Sequence, residues 1–337
     1  MMDQMKLSVI IPTRNRSESL FLVLESICNQ TISPDKFEVI VVDNGSKDDT
    51  KEVTLSFANK IRNLRYFYED KPGLHRGRHR GLRESQADIL VYADDDIEGI
   101  PTWLEGVEES FEDKSVVLVG GKVLPKFLSE PPRWIKEMWN SFEKNGQVLS
   151  YLSILDLGEE VKDINPYYIF GCNFSIRKSV LLEAGGFHPD AMPQEVIRYR
   201  GDGESHVSKY ILGKKYRAIY NPKASVYHVI PGDRLSVEYF CKRAYNEGIS
   251  CSFSQIRDGQ GLPVFNREKY ISTIKNMLRA VRSAIMKFFA KEKKLLDVEI
   301  QKRIDDSYSA GMRFHQGEVK KDPELLAHVE KKTYLED

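Results

Sequence analysis

At 337 residues the chain is long enough to bury a sizeable core, as one large domain or as a domain with an appendage. Its 50 lysines and arginines balance 50 aspartates and glutamates, which excludes a global field that would draw nucleic acid; any basic surface has to be local. Four cysteines, Cys28, Cys172, Cys241 and Cys251, show neither paired metal spacing nor a secreted disulfide pattern, and imply a reduced, cytoplasmic compartment.

Met1–Lys6 leads into a short apolar run ending at Pro12, which reads as a strand rather than a signal peptide, and no stretch is long enough to span a bilayer. Leu7–Ile11, Phe37–Val42, Leu64–Tyr68, Ile89–Ala93 and Val116–Val119 are short β-rich apolar runs, each predicted to be a buried parallel strand. Helical stretches alternate with them. In Ser17–Asn29, for example, Leu20, Val23, Leu24 and Ile27 recur at helix spacing. Such alternation predicts an α/β sheet with right-handed crossovers, whose ligands bind beyond the carboxyl ends of the strands. Thr13-Arg14-Asn15, Asp43-Asn44-Gly45-Ser46 and Asp94-Asp95-Asp96 follow the first, second and fourth strands and are predicted to meet in one crevice.

Three successive carboxylates at a strand end are costly unless a cation sits there. Magnesium or manganese, with hard oxygen ligands and substrate phosphates, suits the Asp94-x-Asp96 pair. The plainer reading is an acidic cap for a helix beginning near Pro101, for which one aspartate would suffice. Like-charge crowding by itself predicts that removing Asp96 leaves the ligand-free protein no less stable.

Further along, Trp134 and Trp139 in Pro125–Asn145 could offer stacking faces to the apolar face of a ligand, a candidate acceptor wall, or pin a loop to the core. Gly201-Asp202-Gly203-Glu204-Ser205 holds two candidate bases, or a capping Asp and a first-turn Glu before Val207–Leu212. His228 stands at a strand end as a metal ligand or a hydrogen-bonded histidine. After Gly232, Val237–Asn246, Arg267–Lys294 and Asp322–Lys332 are predicted helices. The second, a basic amphipathic helix over 267–294, suits either an anionic membrane at the inner face or packing on the catalytic domain or a second subunit.

Val9-Ile10-Ile11-Pro12-Thr13-Arg14-Asn15-Arg16, Val41-Val42-Asp43-Asn44-Gly45-Ser46, Pro72-Gly73 to Gly81 and Asp94-Asp95-Asp96 occur in the order that resembles the family 2 glycosyltransferases of the GT-A fold. The resemblance continues through Gly171–Lys178, Gly185-Gly186-Phe187, Gly201–Glu204 and Val226-Tyr227-His228. It implies a GT-A type nucleotide-binding α/β sheet flanked by helices over residues 1–232 and a mainly helical extension over 233–337. Pro12, Thr13 and Arg14 would then contact the nucleotide sugar and Asp43 the base. Arg78 matches the arginine of an Ala-Arg-Asn motif, although Gly77 and His79 replace its neighbours. Asp94, with Asp95 beside it, would lie at the ribose. Asp96 would hold Mn2+ or Mg2+, with His228 completing the metal shell. Glu204 lines up with the family's catalytic aspartate, and Asp202 is the second choice.

The implied reaction moves one sugar, with inversion, from a nucleoside diphosphate donor, most often UDP-linked, to a hydroxyl of a glycan or lipid-linked glycan. This would serve polysaccharide or glycoconjugate biosynthesis. A sugar nucleotidyltransferase is the competing enzyme class, but Pro12–Arg16 lacks the glycine-rich phosphate loop it needs. A non-catalytic nucleotide-sugar-binding protein is the third reading, against which stand Asp94, Asp96 and Glu204.

Overall fold

The computed structural model describes residues 5–140, 146–259 and 298–336. The main sheet holds β1 (Leu7–Thr13), β2 (Phe37–Asp43), β3 (Leu64–Tyr68), β4 (Ile89–Ala93), β6 (Val116–Gly120), β10 (Lys162–Asp163), β11 (Asn173–Arg177) and β12 (Arg217–Tyr220), in the order β10-β12-β6-β11-β4-β1-β2-β3. A smaller sheet is built from β5 (Ile97–Gly99), β7 (Val123–Phe127), β8 (Gln147–Leu149), β9 (Ile154–Asp156) and β13 (Val226–Ile230), ordered β5-β13-β7-β9-β8. Helices α1 (Ser17–Cys28), α2 (Thr50–Ser56), α3 (Leu74–Glu84), α4 (Trp103–Glu112), α5 (Arg133–Trp139), α6 (Lys178–Glu183) and α7 (Ser205–Lys214) connect the strands. Three more, α8 (Val237–Arg257), α9 (Val298–Lys321) and α10 (Pro323–Val329), follow β13.

The strand alternation explains the layers. Leu7, Val9, Ile11, Val39, Val41 and Val91 point to one face, where Leu20, Val23 and Leu24 of α1 and Trp103 and Val107 of α4 cover them. Ile10, Ile40, Val42, Leu90 and Tyr92 point to the other, against Leu82 of α3, Phe187 and Val207 and Ile211 of α7. With both faces covered, β1 and β2 are buried along their whole length, as uniformly apolar parallel strands should be.

The five predicted strands all form, and β1 pairs in parallel with both β2 and β4. The expectation of full burial fails for β3, which ends the order of the sheet and is half-buried, with Tyr68 exposed. The acidic run does not cap the helix after Pro101. β5 intervenes, and α4 starts at Trp103 with no side-chain cap.

The chain runs outward from β1 to β2 and β3 on one side and to β4 on the other, which opens a crevice at the ends of β1 and β4. Antiparallel β11 starts opposite the end of β4, with Asn173 facing Ala93, so Gly171 and Cys172 arrive beside Asp94. Helix α3 crosses close over β1. A Cβ on Gly81 would lie 2.2 Å from Ile10 Cγ2 and one on Gly77 3.0 Å from Pro12 Cβ. Those two glycines let a helix with few apolar residues lie on the sheet and carry Arg78 inward.

After β13, helix α8 runs to Arg257, eleven residues past the predicted end at Asn246. It pairs with α9, an element the sequence reading did not foresee. A Cβ on Gly248 would meet Tyr308 O at 2.1 Å, and one on Gly311 would meet Tyr245 O at 1.9 Å. Reciprocal glycines thus allow close backbone approach. The last predicted helix is shorter than expected, Pro323–Val329, with Asp322 accepting from Glu324 and Leu325 N–H as its cap. The predicted basic helix 267–294 lies outside the described residues.

Candidate active site

The strand ends open into a cleft of about 340 Å³. Pro12, Thr13, Arg14, Arg78, Asp94, Asp95, Asp96, Glu204 and His228 all line it, so most of the residues singled out in the sequence share one cavity. Asp43, Asp202, Trp134 and Trp139 are not among the described residues that line it.

The acidic run is threaded with arginines. Arg16 Nη1 donates to Asp95 Oδ1 at 2.8 Å and to Asp96 Oδ2 at 2.9 Å, and Thr13 Oγ1 donates to Asp95 Oδ2 at 2.7 Å. Arg234 Nη2 donates to Asp96 Oδ2 at 2.7 Å. Burial raises the Asp94 carboxyl and pushes Asp95 up to about 6, against the pull of Arg16. Burial acts the same way on Asp96, but the neighbouring guanidiniums of Arg234 and Arg16 outweigh it and hold that carboxyl below its usual range.

His228 Nδ1 lies 2.8 Å from Leu152 O. A carbonyl only accepts, so Nδ1 carries the proton and Nε2 of the neutral ring offers a lone pair. That nitrogen lies 3.4 Å from Asp96 Oδ1, an atom buried without a hydrogen-bond partner, and accepts from Arg234 Nη1 at 3.2 Å. An orphaned carboxylate oxygen facing an imidazole lone pair fits a divalent cation. Among the described residues no group of three or more His, Cys, Asp or Glu is arranged to hold a metal alone. Substrate phosphates commonly supply further ligands to magnesium or manganese.

Across the cleft, Glu204 ends the loop before α7. Its Oε1 accepts from Gly171 N at 3.3 Å and its Oε2 from Arg78 Nη1 at 3.3 Å. Arg78 also reaches Asp94 Oδ1 at 3.5 Å and Gly171 O at 3.3 Å, so one buried guanidinium ties the acidic run to Glu204. Of the two carboxylates in the Gly201–Ser205 segment, only Glu204 faces the cleft. Asp202 is turned away, with Oδ1 on His188 Nδ1 at 2.5 Å and Oδ2 accepting from Ser254 Oγ at 2.5 Å.

Three other candidates lie apart from the lining of the cleft. Asp43 uses both oxygens locally, Oδ1 accepting from Ser46 N at 2.7 Å and Oδ2 from Tyr66 OH at 2.7 Å, so it builds the turn after β2. Trp134 packs edge-on against Phe240 with ring centroids 4.9 Å apart. Trp139 is half-buried against the same core, and its carbonyl accepts from Gln147 Nε2. Conversely, Arg16, Arg200, Arg234, Tyr239 and Arg243 line the cleft without having been foreseen. Arg16 closes a motif already quoted, so proximity to it was the available signal. The others come from turns and a helix whose facing only the fold decides.

The family model for Glycosyl transferase family 2 matches residues 8–185, more than half of the chain, and spans both β1 and the acidic run. The chain is a family 2 glycosyltransferase. Among its relatives, "Glycosyltransferase AglE" of Haloferax volcanii is 32% identical over 181 residues, 53% of this chain and 55% of that protein. The "Glucosyl-dolichyl phosphate glucuronosyltransferase" of the same organism is 25% identical over 260 residues, 73% of this chain and 76% of that one. The chain thus spans about half the length of the first of these relatives. A solved mannosyltransferase, PcManGT from Pyrobaculum calidifontis in complex with GDP-Man and Mn2+, superposes with a TM-score of 0.54 over 97% of this chain and 86% of its own, at 18% identity. At that identity the likeness speaks for the fold, and the glycosyltransferase has the GT-A fold with a helical C-terminal region. Among the described residues no helix is long and apolar enough to cross a membrane.

Proposed function

We propose that the enzyme transfers one sugar from a nucleoside diphosphate donor to a hydroxyl of a glycan or lipid-linked glycan, with inversion, and that Glu204 is the base. The observation that carries this reading is the placement of Glu204 across one cleft from Asp94–Asp96, with Arg78 bonded to both sides. A donor lying along the ends of β1 and β4 sets its diphosphate among Arg14, Arg16 and Arg234 and turns its anomeric carbon toward Glu204. Glu204, held by Gly171 N–H and Arg78, accepts the hydroxyl proton as the acceptor oxygen bonds to that carbon. The carbon–oxygen bond to the diphosphate breaks from the opposite face, which inverts the configuration.

Asp96 and His228 would hold Mn2+ or Mg2+, and such a cation, when bound, offsets charge on the departing diphosphate. Arg16 and Arg234 add fixed positive charge to the same end of the cleft. PcManGT, by its description, holds GDP-Man and Mn2+, and the glucuronosyltransferase relative is named for a dolichyl phosphate-linked acceptor. The first supports a metal and a nucleotide-sugar donor for this enzyme, and the second a lipid-linked acceptor.

A thermal-shift screen of UDP- and GDP-sugars, with and without Mn2+, tests the donor half of the proposal, since a ligand of the native state raises the melting temperature. At least one nucleotide sugar should stabilise the protein, more with metal present. No shift from any of them would contradict it. The anomeric configuration of the product, read by NMR, then tests inversion.

A further inference from the structure

The wall beyond Glu204 carries a cation with no directly bonded anion among the described residues. Arg78 is paired with Glu204 and Asp94, and Arg16 and Arg234 with Asp95 and Asp96. Arg200, just before the Gly201–Ser205 segment, gives Nη2 to Asp190 Oδ1 at 2.6 Å. Arg243, on α8 one turn past Tyr239, lines the cleft yet makes no ion pair or hydrogen bond among the described residues. Glu247, a turn further on, feels the charge of Arg243 and of Arg200 but makes no direct ion pair or hydrogen bond with either among the described residues. Arg14 also makes no ion pair among the described residues, but it follows β1 at the end of the cleft assigned to the donor diphosphate.

A half-buried guanidinium with no hydrogen-bonded partner among the described residues, in a walled cleft, has its donors free for an anion from outside, and its planar fork matches the oxygens of a phosphate or a carboxylate. We propose that the acceptor carries an anionic oxyacid group, and that Arg243, with Arg200 beside it, holds this group while the attacking hydroxyl meets Glu204. The proposal rests on the reading of Glu204 as the base. A neutral glycan would leave Arg243 as it is, so charge becomes the means by which acceptors are told apart.

The test uses the full chain loaded with the nucleotide that the donor screen selects. Calorimetric titration compares three octyl-chain probes of the same hexose: a glycosyl phosphate, a glycosiduronate and a neutral glycoside, across common hexoses. At least one anionic probe should bind about tenfold or more tightly than its neutral counterpart, the weight of one charge-assisted hydrogen bond. Arg243→Gln should erase that preference while leaving nucleotide affinity unchanged, and Arg243→Lys should restore part of it. The phosphate and uronate arms separate the two sources of anion. Where a probe is also a substrate, Arg243→Gln should raise its KM with little change in kcat. The proposal is overturned if no anionic probe binds better than the neutral one, or if Arg243→Gln keeps the preference. Failure of the base reading shows separately, as undiminished transfer by Glu204→Gln.

Discussion

Asp96 shows why charge crowding in a sequence misjudges a single residue. Three aspartates in a row suggest repulsion, and with it a ligand-free protein indifferent to the loss of one. The structure instead sets Asp96 against Arg16, Arg234 and His228. Asp96→Ala removes the only carboxylate that Arg234 pairs with among the described residues. A buried group that loses its charged partner costs about 1–3 kcal/mol. The variant should therefore melt below the parent as well as losing transfer, and an unchanged or raised melting temperature in differential scanning calorimetry would contradict this. Asp202 makes the complementary case. Its carboxylate is spent on His188 and Ser254, so Asp202→Asn should lower stability by about 1–3 kcal/mol in chemical denaturation while transfer stays within about tenfold of the parent. A dead but fully stable Asp202→Asn would instead make Asp202 the base.

Among the elements, α3 ties the catalytic cleft to the end of the chain. On one face Arg78 reaches Asp94 and Glu204; on another, His79 Nε2 accepts from Phe187 N at 2.9 Å, which leaves Nδ1 to donate to Tyr334 O at 3.0 Å. Arg83 Nη1 donates to Leu335 O, and Thr333 Oγ1 donates to Gly185 O. Tyr334 is fully buried, with His75, His188, Phe253 and His328 around its ring. Tyr334→Ala should cost about 3–5 kcal/mol, as large aromatic truncations in cores do. Tyr334→Phe, which loses the hydroxyl bond to His328 O, should cost about 1 kcal/mol. Equal urea midpoints for the two variants would show that the ring is not what holds the segment. This anchoring was not legible in the sequence, because one tyrosine near a polar end carries no periodic signal. The strands were legible, since burial on both faces forces unbroken runs such as Val39–Val42. Asp94–Asp96 and Glu204 could be singled out as cleft residues because their motifs are contiguous. Arg243 and Arg234 could not, because their roles depend on how α8 and the turn before it dock. Trp134 stayed open between two readings because an aromatic ring that packs on Phe240 and one that faces a sugar look alike in sequence.

For the molecule as a whole, histidines set the limit in acid. Burial holds His79 down to about 3 and His315 to about 4, and it lowers His75 further still. Unfolded histidine titrates near 6.5, so between about pH 6.5 and pH 4 the unfolded chain binds protons that the folded one refuses. Their contribution is fully present above pH 6.5 and is lost as the pH falls toward the folded values, so urea midpoints should decline across that window. A flat profile from pH 7 to pH 4.5 would mean that these rings are hydrated or charged in the native state. The same whole-molecule view places the cleft where β1, β4, α3, α7 and α8 meet, with Glu204 facing the acidic run. The most direct test is single-turnover transfer by Glu204→Gln with donor and acceptor saturating. The amide keeps the shape but cannot take the proton, so donor affinity should hold while the rate falls about 10²- to 10⁴-fold. Transfer at the parent rate would contradict the assignment of Glu204 as the base.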